Sequence, residues 1–279
     1  MQSTEYYPAP AKLNLFLHVV GRRPDGYHLL QSVFRFIDYG DRLSFKLRDD
    51  GAILRHGQIP GVAPEQDLCV RAAKLLQQHA NCAQGVEISL EKKLPLGGGL
   101  GGGSSDAATT LLALKRLWGL SLSRAALQEL ALQLGADVPV FIFGQSAFAE
   151  GVGEKLQPIE LPPAWYVVLV PPVQVATAGI FASPELTRNT IPIRMSDFSS
   201  GQMGNDLEPV VCAKYPVVAE YLSWLGSFGK ARMTGSGACV FAEFTSEREA
   251  RQVFSHKPAA MQGFVAQGLA RHPMYDFAQ

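Results

Sequence analysis

A run of glycines constrains this chain more than any other part of its sequence. Six glycines fall within seven residues of the segment Gly97-Gly98-Gly99-Leu100-Gly101-Gly102-Gly103-Ser104-Ser105. The segment lies between a predicted strand, residues 86–90, and a predicted helix, residues 107–118. Backbone N–H groups can converge in such a loop because few side chains intervene, and the following helix adds the positive end of its dipole. We therefore predict a cradle for phosphate groups, since a flexible linker rarely joins a strand directly to a helix.

Two better-known phosphate loops do not fit this segment. The Walker pattern requires Lys after the last glycine of G-x-x-x-x-G, and Gly103 stands at that place. The dinucleotide pattern G-x-G-x-x-G is formally met by Gly97, Gly99 and Gly102. It also requires a strand after the helix, with an acidic residue about 20 residues on. A second predicted helix, residues 124–134, follows instead, so we predict neither a P-loop nor a Rossmann domain.

The remaining pattern predicts mixed helices and strands. Residues 12–20 alternate with period two, which predicts a strand that carries Lys12 and Asn14 on one face. Further strands are predicted at 27–37, 42–48, 165–170 and 264–269, and helices at 68–79, 207–225 and 246–254. A composition shift near residues 158–163 divides the chain. We predict an α+β protein with two domains, residues 1–160 and 161–279.

Composition narrows the classes of partner. Lys and Arg number 25 and Asp and Glu number 25, and this balance argues against a general nucleic-acid or anionic-membrane surface. The four cysteines are scattered without a CxxC pair, and the six histidines show no HxxxH spacing, so we predict no zinc site. No window approaches the roughly 20 uncharged residues of a membrane span. We expect a cytoplasmic protein without nucleic-acid or membrane partners, as a monomer or weak homodimer.

Three motifs together resemble a known family. The segments at 10–15 (Pro-Ala-Lys-Leu-Asn-Leu), 94–108 (the glycine loop with its flanks) and 234–238 (Thr-Gly-Ser-Gly-Ala) are similar to the three motifs of the GHMP kinases. That family is named for galactokinase, homoserine kinase, mevalonate kinase and phosphomevalonate kinase. The resemblance implies an N-terminal domain like the second domain of ribosomal protein S5 and a ferredoxin-like C-terminal domain.

Further segments resemble one branch of that family, and the similarity spans nearly the whole chain. They are residues 24–28, 135–139 and 149–154. The resemblance implies transfer of the ATP γ-phosphate, with Mg²⁺, to the tertiary C2 hydroxyl of a cytidine diphosphate derivative of methylerythritol. That reaction belongs to the non-mevalonate pathway to isoprenoids.

The resemblance also assigns two catalytic residues. Asp137 is the expected general base, because a tertiary alcohol is a poor nucleophile at neutral pH and needs a proton acceptor. From its position alone, ahead of Val138-Pro139, Asp137 could equally be a helix N-cap. Lys12 is the expected partner charge, which offsets negative charge near the alcohol or the γ-phosphate. The alternative for Lys12 is an edge-strand lysine that blocks aggregation.

The remaining site residues follow from the same resemblance. His28 is expected to hydrogen-bond the cytosine edge, Tyr27 and Phe181 to enclose the ring, and Asn14 and Thr177 to contact the substrate. Lys92 and Lys93 are expected near the adenine, and the ligands of Mg²⁺ stay open. The expected ATP contacts are Pro95, Leu96, Gly97, Gly98, Gly99, Leu100, Gly101, Gly102, Gly103, Ser104 and Ser105, with Gly235, Ser236 and Gly237 as a turn on the phosphate side.

Other functions remain open from the sequence. A homoserine-type or mevalonate-type kinase would share the fold but would not need to grip a cytosine with Tyr27, His28 and Phe181. A non-catalytic nucleotide-binding protein on a kinase scaffold would bind ATP without needing Asp137. An NAD-binding enzyme is the third alternative, and cofactor titration would expose it.

Overall fold

The structure is a computed structural model, and it describes residues 5–57, 61–199 and 203–279. The strands are β1 (Tyr7–Arg22), β2 (His28–Arg48), β3 (Ile53–His56), β4 (Gly85–Glu91), β5 (Ala147–Glu150), β6 (Lys155–Pro158), β7 (Trp165–Val170), β8 (Arg232–Met233), β9 (Val240–Phe244) and β10 (Gln262–Leu269). The α-helices are α1 (Leu68–His79), α2 (Gly102–Leu117), α3 (Arg124–Leu134), α4 (Val138–Phe143), α5 (Thr177–Phe181), α6 (Glu208–Lys214), α7 (Pro216–Gly226) and α8 (Glu247–Ser255).

A continuous sheet runs through the molecule in the order β3-β4-β2-β10-β7-β9-β8, and β1 and β5 also pair with β2. The C-terminal strand β10 connects the two halves, because it pairs antiparallel with β7 and, through Gly268 and Leu269, with β2. One buried cluster lies under α1–α4, a second lies under α6–α8, and a third joins them around Leu13, Tyr166 and Phe241. The α+β class is confirmed, and the division near residue 160 stays a proposal.

The second strand is longer than the sequence indicated. Residues 27–37 and 42–48 were expected to form two strands, and they form the single strand β2. Gly40 continues the pairing with Pro10, and a Cβ atom at Gly40 would lie 2.2 Å from the carbonyl oxygen of Ala9. Glycine is therefore required there by the close approach of β1 and β2.

The helices confirm most predicted bounds and correct two. Helices α1 and α3 begin and end at the predicted residues. Helix α2 begins at Gly102 rather than at residue 107, because the left-handed Gly101 lets the chain turn directly into the helix. The helix predicted at 207–225 is two helices, since Pro216 restricts Tyr215 to non-helical backbone angles. Among the described residues, no helix is both long and apolar enough to span a membrane.

Candidate active site

The expected site residues meet at one cavity of about 840 Å³, between the glycine loop, β1, β2 and α5. Its volume lies in the range of small-molecule sites, roughly 300–1,000 Å³. The predicted residues in its wall are Lys12, Asn14, Tyr27, His28, Pro95, Leu96, Gly97, Gly98, Gly99, Leu100, Gly101, Gly102, Gly103, Ser104, Asp137, Thr177, Phe181, Gly235 and Ser236. The cavity therefore has a phosphate end, at the glycine loop, and a base end, at Tyr27, His28 and Phe181.

Two predicted residues lie behind the cavity wall. Ser105 is fully buried, and its hydroxyl donates a 2.7 Å hydrogen bond to the carbonyl of Pro10. The position of Gly237 faces Met233 and Val211. The Ser105 hydroxyl corrects the sequence-based assignment, because it joins α2 to β1 instead of facing the cavity, whereas Gly237 stays a predicted member of the phosphate-side turn.

The glycine loop has the backbone of an anion cradle. Gly97, Gly99 and Gly101 have φ angles of 66°, 75° and 72°, which are left-handed conformations that favour glycine. Left-handed residues alternate with others along the loop, and such alternation can turn successive N–H groups toward one side. The loop then enters α2, whose first N–H groups lack partners within the helix. The loop and the helix start can together bind phosphate oxygens.

The loop is held in place by distant parts of the chain. The backbone N–H of Lys12 donates to the carbonyl of Leu100 at 3.0 Å, and that of Cys239 donates to Gly98 at 3.1 Å. The carbonyl of Gly99 accepts from Lys12 Nζ at 3.0 Å and from Thr234 Oγ1 at 3.4 Å. Residues 10–15 and 234–239 therefore hold the glycine loop in place.

Lys12 lies at the centre of this end, and its side chain is only 2% exposed. Its Nζ contacts Asn14 Oδ1 at 2.5 Å, the Gly99 carbonyl at 3.0 Å and Asp137 Oδ2 at 3.3 Å. These three acceptors match the three N–H donors of an ammonium group. Because Lys12 is buried and fully used, the alternative of an aggregation-blocking edge lysine is wrong.

Asp137 is oriented toward Lys12 and the cavity. In the described part of the chain, its side chain makes no hydrogen bond that caps α4, although it precedes that helix. The side chain is 40% exposed, so an oxygen is free to meet a ligand. The geometry favours proton acceptance over the N-cap alternative. Asn14 supports this pair, since its Oδ1 binds Lys12 and its Nδ2 donates to Ser32 Oγ at 2.8 Å.

The base end is more open. Tyr27 is 65% exposed after the turn that joins β1 to β2. The rings of His28 and Phe181 have centroids 4.9 Å apart and planes tilted by 31°. Burial, together with the charges of Arg188 and Arg22, lowers the pKa of His28 below its ordinary value. This end can therefore offer aromatic faces and a neutral imidazole to a flat heterocycle.

Two hydroxyl groups link α5 to the phosphate-side turn. Thr177 Oγ1 and Ser236 Oγ lie 2.7 Å apart, and both residues line the cavity. They lie between the base end and the phosphate end, where they can meet polar groups of a bound ligand.

A buried charge cluster beside the loop was missed by sequence reasoning. Lys92 Nζ contacts Asp41 Oδ2 at 2.5 Å and Asp106 Oδ2 at 2.8 Å. Burial and the charge of Asp41, opposed by Lys92, raise the pKa of Asp106 to about 7. Burial alone would lower the pKa of Lys92, but Asp106 and Asp41 outweigh it and raise that pKa. Lys92 lines the cavity as expected, but its charge joins β2 to the start of α2.

Asp67 has a structural role. Its carboxylate accepts from the N–H of Cys69 at 2.8 Å as the N-cap of α1, and it pairs with Arg55 Nε at 2.8 Å. Within the described ranges, no group of three or more His, Cys, Asp or Glu side chains could hold a metal ion by itself. Protein ligands for a cation would have to act together with phosphate oxygens.

Comparison with known proteins places these motifs in one family. The GHMP kinases N terminal domain matches residues 67–145, and the GHMP kinases C terminal domain matches residues 192–259. The chain is 66% identical to the 4-diphosphocytidyl-2-C-methyl-D-erythritol kinase of Thiobacillus denitrificans, over 98% of this chain and 99% of that protein. It is 65% identical to the protein of the same name from Nitrosospira multiformis, over 98% of this chain and 94% of that protein.

A solved structure agrees with these relatives. The crystal structure of a 4-(cytidine 5'-diphospho)-2C-methyl-D-erythritol kinase superposes with a TM-score of 0.80 at 33% identity, covering 95% of this chain and 99% of that one. The two-domain GHMP kinase fold expected from the three motifs is thereby confirmed. The chain belongs to the GHMP kinase family, together with relatives that are named 4-diphosphocytidyl-2-C-methyl-D-erythritol kinase.

Proposed function

We propose that this chain transfers the γ-phosphoryl group of ATP to the C2 hydroxyl of 4-diphosphocytidyl-2-C-methyl-D-erythritol, giving the 2-phosphate and ADP. One observation carries the proposal: the Lys12–Asp137 pair, the glycine loop and the group Tyr27, His28 and Phe181 line the same cavity. The full-length identity to kinases with this substrate in their name supports it. The place in the non-mevalonate isoprenoid pathway follows from that substrate.

The reaction exchanges one phosphorus–oxygen bond for another. The C2 oxygen forms a bond to the γ-phosphorus, and the bond between the γ-phosphorus and the bridging oxygen of ADP breaks. Asp137 accepts the hydroxyl proton as the new bond forms, which contributes about 10²- to 10⁴-fold to such reactions. Lys12, held 3.3 Å from Asp137, places a positive charge beside the alcohol and the moving phosphoryl group.

Most of the remaining stabilisation of the transition state comes from fixed backbone dipoles. The loop N–H groups and the start of α2 bind the phosphate oxygens before the reaction begins, so little reorganisation is needed as charge shifts. The contacts of the loop with Lys12, Thr234 and Cys239 support this preorganisation.

The acceptor is positioned by its cytidine. Tyr27 and Phe181 enclose the cytosine, His28 meets its edge, and Thr177 and Asn14 lie along the cavity toward Asp137. Neither homoserine nor mevalonate carries a ring for the base end. This difference favours the cytidyl alcohol over these two acceptors.

Magnesium is part of the proposal because phosphoryl transfer from ATP uses it. The residues present fit a site shared with phosphate oxygens, because Ser104, whose side chain carries a hydroxyl, lines the cavity at the phosphate end, and Mg²⁺ prefers oxygen ligands. There a bound ion would supply positive charge that offsets the negative charge of the phosphate oxygens. The cytoplasmic location and the monomeric or weakly dimeric state also remain predictions.

The test is ADP release, coupled to a dehydrogenase readout, with the cytidyl alcohol, homoserine and mevalonate as acceptors. We expect turnover with the cytidyl alcohol, dependence on Mg²⁺, and one new phosphate monoester at C2 by ³¹P NMR. Turnover with only homoserine or mevalonate would refute the substrate. ATP binding without turnover of any acceptor would favour the non-catalytic alternative.

A further inference from the structure

Asn205 lies behind the turn at Gly235 and Ser236, on the phosphate side of the cavity, and its side chain is buried. The amide nitrogen Nδ2 donates to the carbonyl of Met233 at 2.9 Å and to that of Gly235 at 2.7 Å. The amide oxygen Oδ1 accepts from the N–H of Leu207 at 2.9 Å. Because two carbonyls face the nitrogen and an N–H faces the oxygen, only this orientation of the amide satisfies all three neighbours.

The backbone around Asn205 is bound to β1. The N–H of Leu17 donates to the carbonyl of Gly204 at 3.1 Å, and the N–H of Asp206 donates to the carbonyl of Leu17 at 2.8 Å. The Asp206 carboxylate also accepts from the N–H of Val19 at 2.7 Å. The amide of Asn205 is therefore held in a fixed place relative to the strand that forms one wall of the cavity.

The hydrogen bond to Gly235 sets the direction of the next backbone N–H group. The peptide between Gly235 and Ser236 is trans, so its C=O and N–H point in opposite directions. The carbonyl points to Asn205, which lies outside the cavity wall, whereas Gly235 and Ser236 line the cavity. Within the described ranges, the N–H of Ser236 donates to no protein group. It is therefore a backbone donor that is free to bind a ligand.

This free N–H group belongs to the phosphate end of the cavity. A Cβ atom at Gly235 would lie 2.9 Å from the carbonyl oxygen of Gly99 and 3.3 Å from Lys12 Nζ. The turn therefore contacts both the glycine loop and the positive charge that faces Asp137. A fixed backbone donor at this place can bind a phosphoryl oxygen as its charge changes, as the donors of an oxyanion hole do.

We propose that Asn205 is a positioning residue that directs the Ser236 N–H toward the phosphoryl group during transfer. This inference rests on the proposed function, which places that group beside Lys12. Asn205 acts only through the turn. Without its two N–H donors, the carbonyls of Met233 and Gly235 lose their partners, and the peptide that carries the Ser236 N–H can rotate away. Loss of one preorganised donor costs about 10²- to 10³-fold in kcat, and we expect about 10- to 100-fold for a donor that is only misdirected.

The test is Asn205→Asp at about pH 8, where the new carboxyl is ionised: the shape and the acceptor for Leu207 are kept, and both donors are lost. We expect kcat with the cytidyl alcohol to fall about 10- to 100-fold, while calorimetry with a non-hydrolysable ATP analogue gives the wild-type stoichiometry and affinity. Affinity for ADP with aluminium fluoride and the alcohol, which mimics the moving phosphoryl group, should fall by the same factor as kcat. Asn81→Asp, the same change at an exposed residue after α1, should leave all of these values unchanged.

An unchanged kcat in Asn205→Asp would overturn the inference. So would equal losses of affinity for the ATP analogue and for the fluoride complex, because a merely structural residue weakens both alike. Should Asn205→Asp not fold, NMR of wild type still decides, since the amide proton of Ser236 must move downfield when the fluoride complex forms, and an unchanged resonance would contradict the proposal. Absence of turnover with the cytidyl alcohol in wild type would instead refute the proposed function.

Discussion

The two ends of the cavity are built differently. At the phosphate end, Lys12 is 2% exposed and is held by contacts from β1, the glycine loop and the residue before α4. At the base end, Tyr27 is 65% exposed and follows a turn. Charges that stabilise a transition state must be in place before the reaction. Exposed side chains that bind a flat base can instead become ordered when the base binds. Chemistry is thus fixed at one end and recognition is adjustable at the other.

The largest effect that this contrast predicts is at Asp137. We expect Asp137→Asn to lower kcat by about 10²- to 10⁴-fold, because the proton acceptor is lost while the shape is kept. ATP affinity, measured by calorimetry with a non-hydrolysable analogue, should stay near that of wild type. The matched control Asp49→Asn, on an exposed turn, should retain full activity. Equal kcat values for wild type and Asp137→Asn would rule out the assigned base.

The next effect comes from breaking the contact that fixes the loop. Gly99 has a φ of 75°, and a Cβ atom there would lie 2.1 Å from the carbonyl oxygen of Thr234. We expect Gly99→Ala to weaken ATP binding by about 100-fold, from backbone strain together with the displaced loop.

Gly119→Ala is the control for Gly99→Ala, since Gly119 has a φ of 64° and a Cβ atom added there would meet nothing within 4 Å. Gly119→Ala therefore introduces the same kind of backbone strain as Gly99→Ala but no steric clash. Both variants are measured by calorimetry and thermal melting. The same ATP affinity in both would show that the Thr234 contact does not hold the loop.

A stability effect of intermediate size is expected behind the phosphate end. Burial lowers the pKa of His272 to about 3, and its ring packs edge-on against Phe36 and Phe141. Between pH 6.5 and 3 the unfolded chain therefore binds more protons than the folded chain does. The stability that depends on neutral His272 is complete above pH 6.5 and is lost as the pH falls through this range. From pH 7.5 to pH 5 the loss is about 2 kcal/mol.

The variant His272→Asn removes this titration and keeps an acceptor for the N–H of Met274, which bonds to His272 Nδ1 at 3.0 Å. Urea unfolding at both pH values measures the effect. Between pH 7.5 and pH 5, we expect the free energy of unfolding to fall by about 2 kcal/mol less in His272→Asn than in wild type. A parallel fall in both proteins would show that His272 titrates normally.

The smallest expected effect is at the open end. Tyr27→Ala should raise KM for the cytidyl alcohol by about tenfold and leave kcat nearly unchanged, because base stacking contributes about 1–3 kcal/mol to binding. Tyr6→Ala, which removes another exposed tyrosine outside the cavity wall, is the control. A large fall in kcat for Tyr27→Ala would mean that the base end also takes part in the chemistry.

The same contrast separates what the sequence could predict from what it could not. The glycine loop, the strand that carries Lys12, and α1 were predictable because glycine density, alternation and helix period are local signals, whereas the role of Lys12 came from the family resemblance. The start of α2 at Gly102 was not, since glycines seldom begin a helix without a special backbone conformation. Asp137 was ambiguous because a residue before a helix resembles a cap until the distant Lys12 is placed beside it.

Residues that act through others carried the weakest signal. Asn205 is 30 positions from Gly235, and Asp41 is 51 positions from Lys92, so neither contact follows from spacing. Ser105 is the opposite case, in which the sequence suggested a role that the structure does not support. A serine at the end of a phosphate loop suggests a ligand contact, but its hydroxyl donates to the carbonyl of Pro10. Long-range pairing, rather than residue type, decided these roles.

One measurement tests the central claim most directly: a crystal structure of the complex with a non-hydrolysable ATP analogue and the cytidyl alcohol. We expect an Asp137 carboxylate oxygen within about 2.6–3.2 Å of the C2 hydroxyl, in line with the γ-phosphorus, and the cytosine at His28 between Tyr27 and Phe181. A C2 hydroxyl beyond hydrogen-bond distance of Asp137, or a cytosine bound outside the base end, would contradict this account.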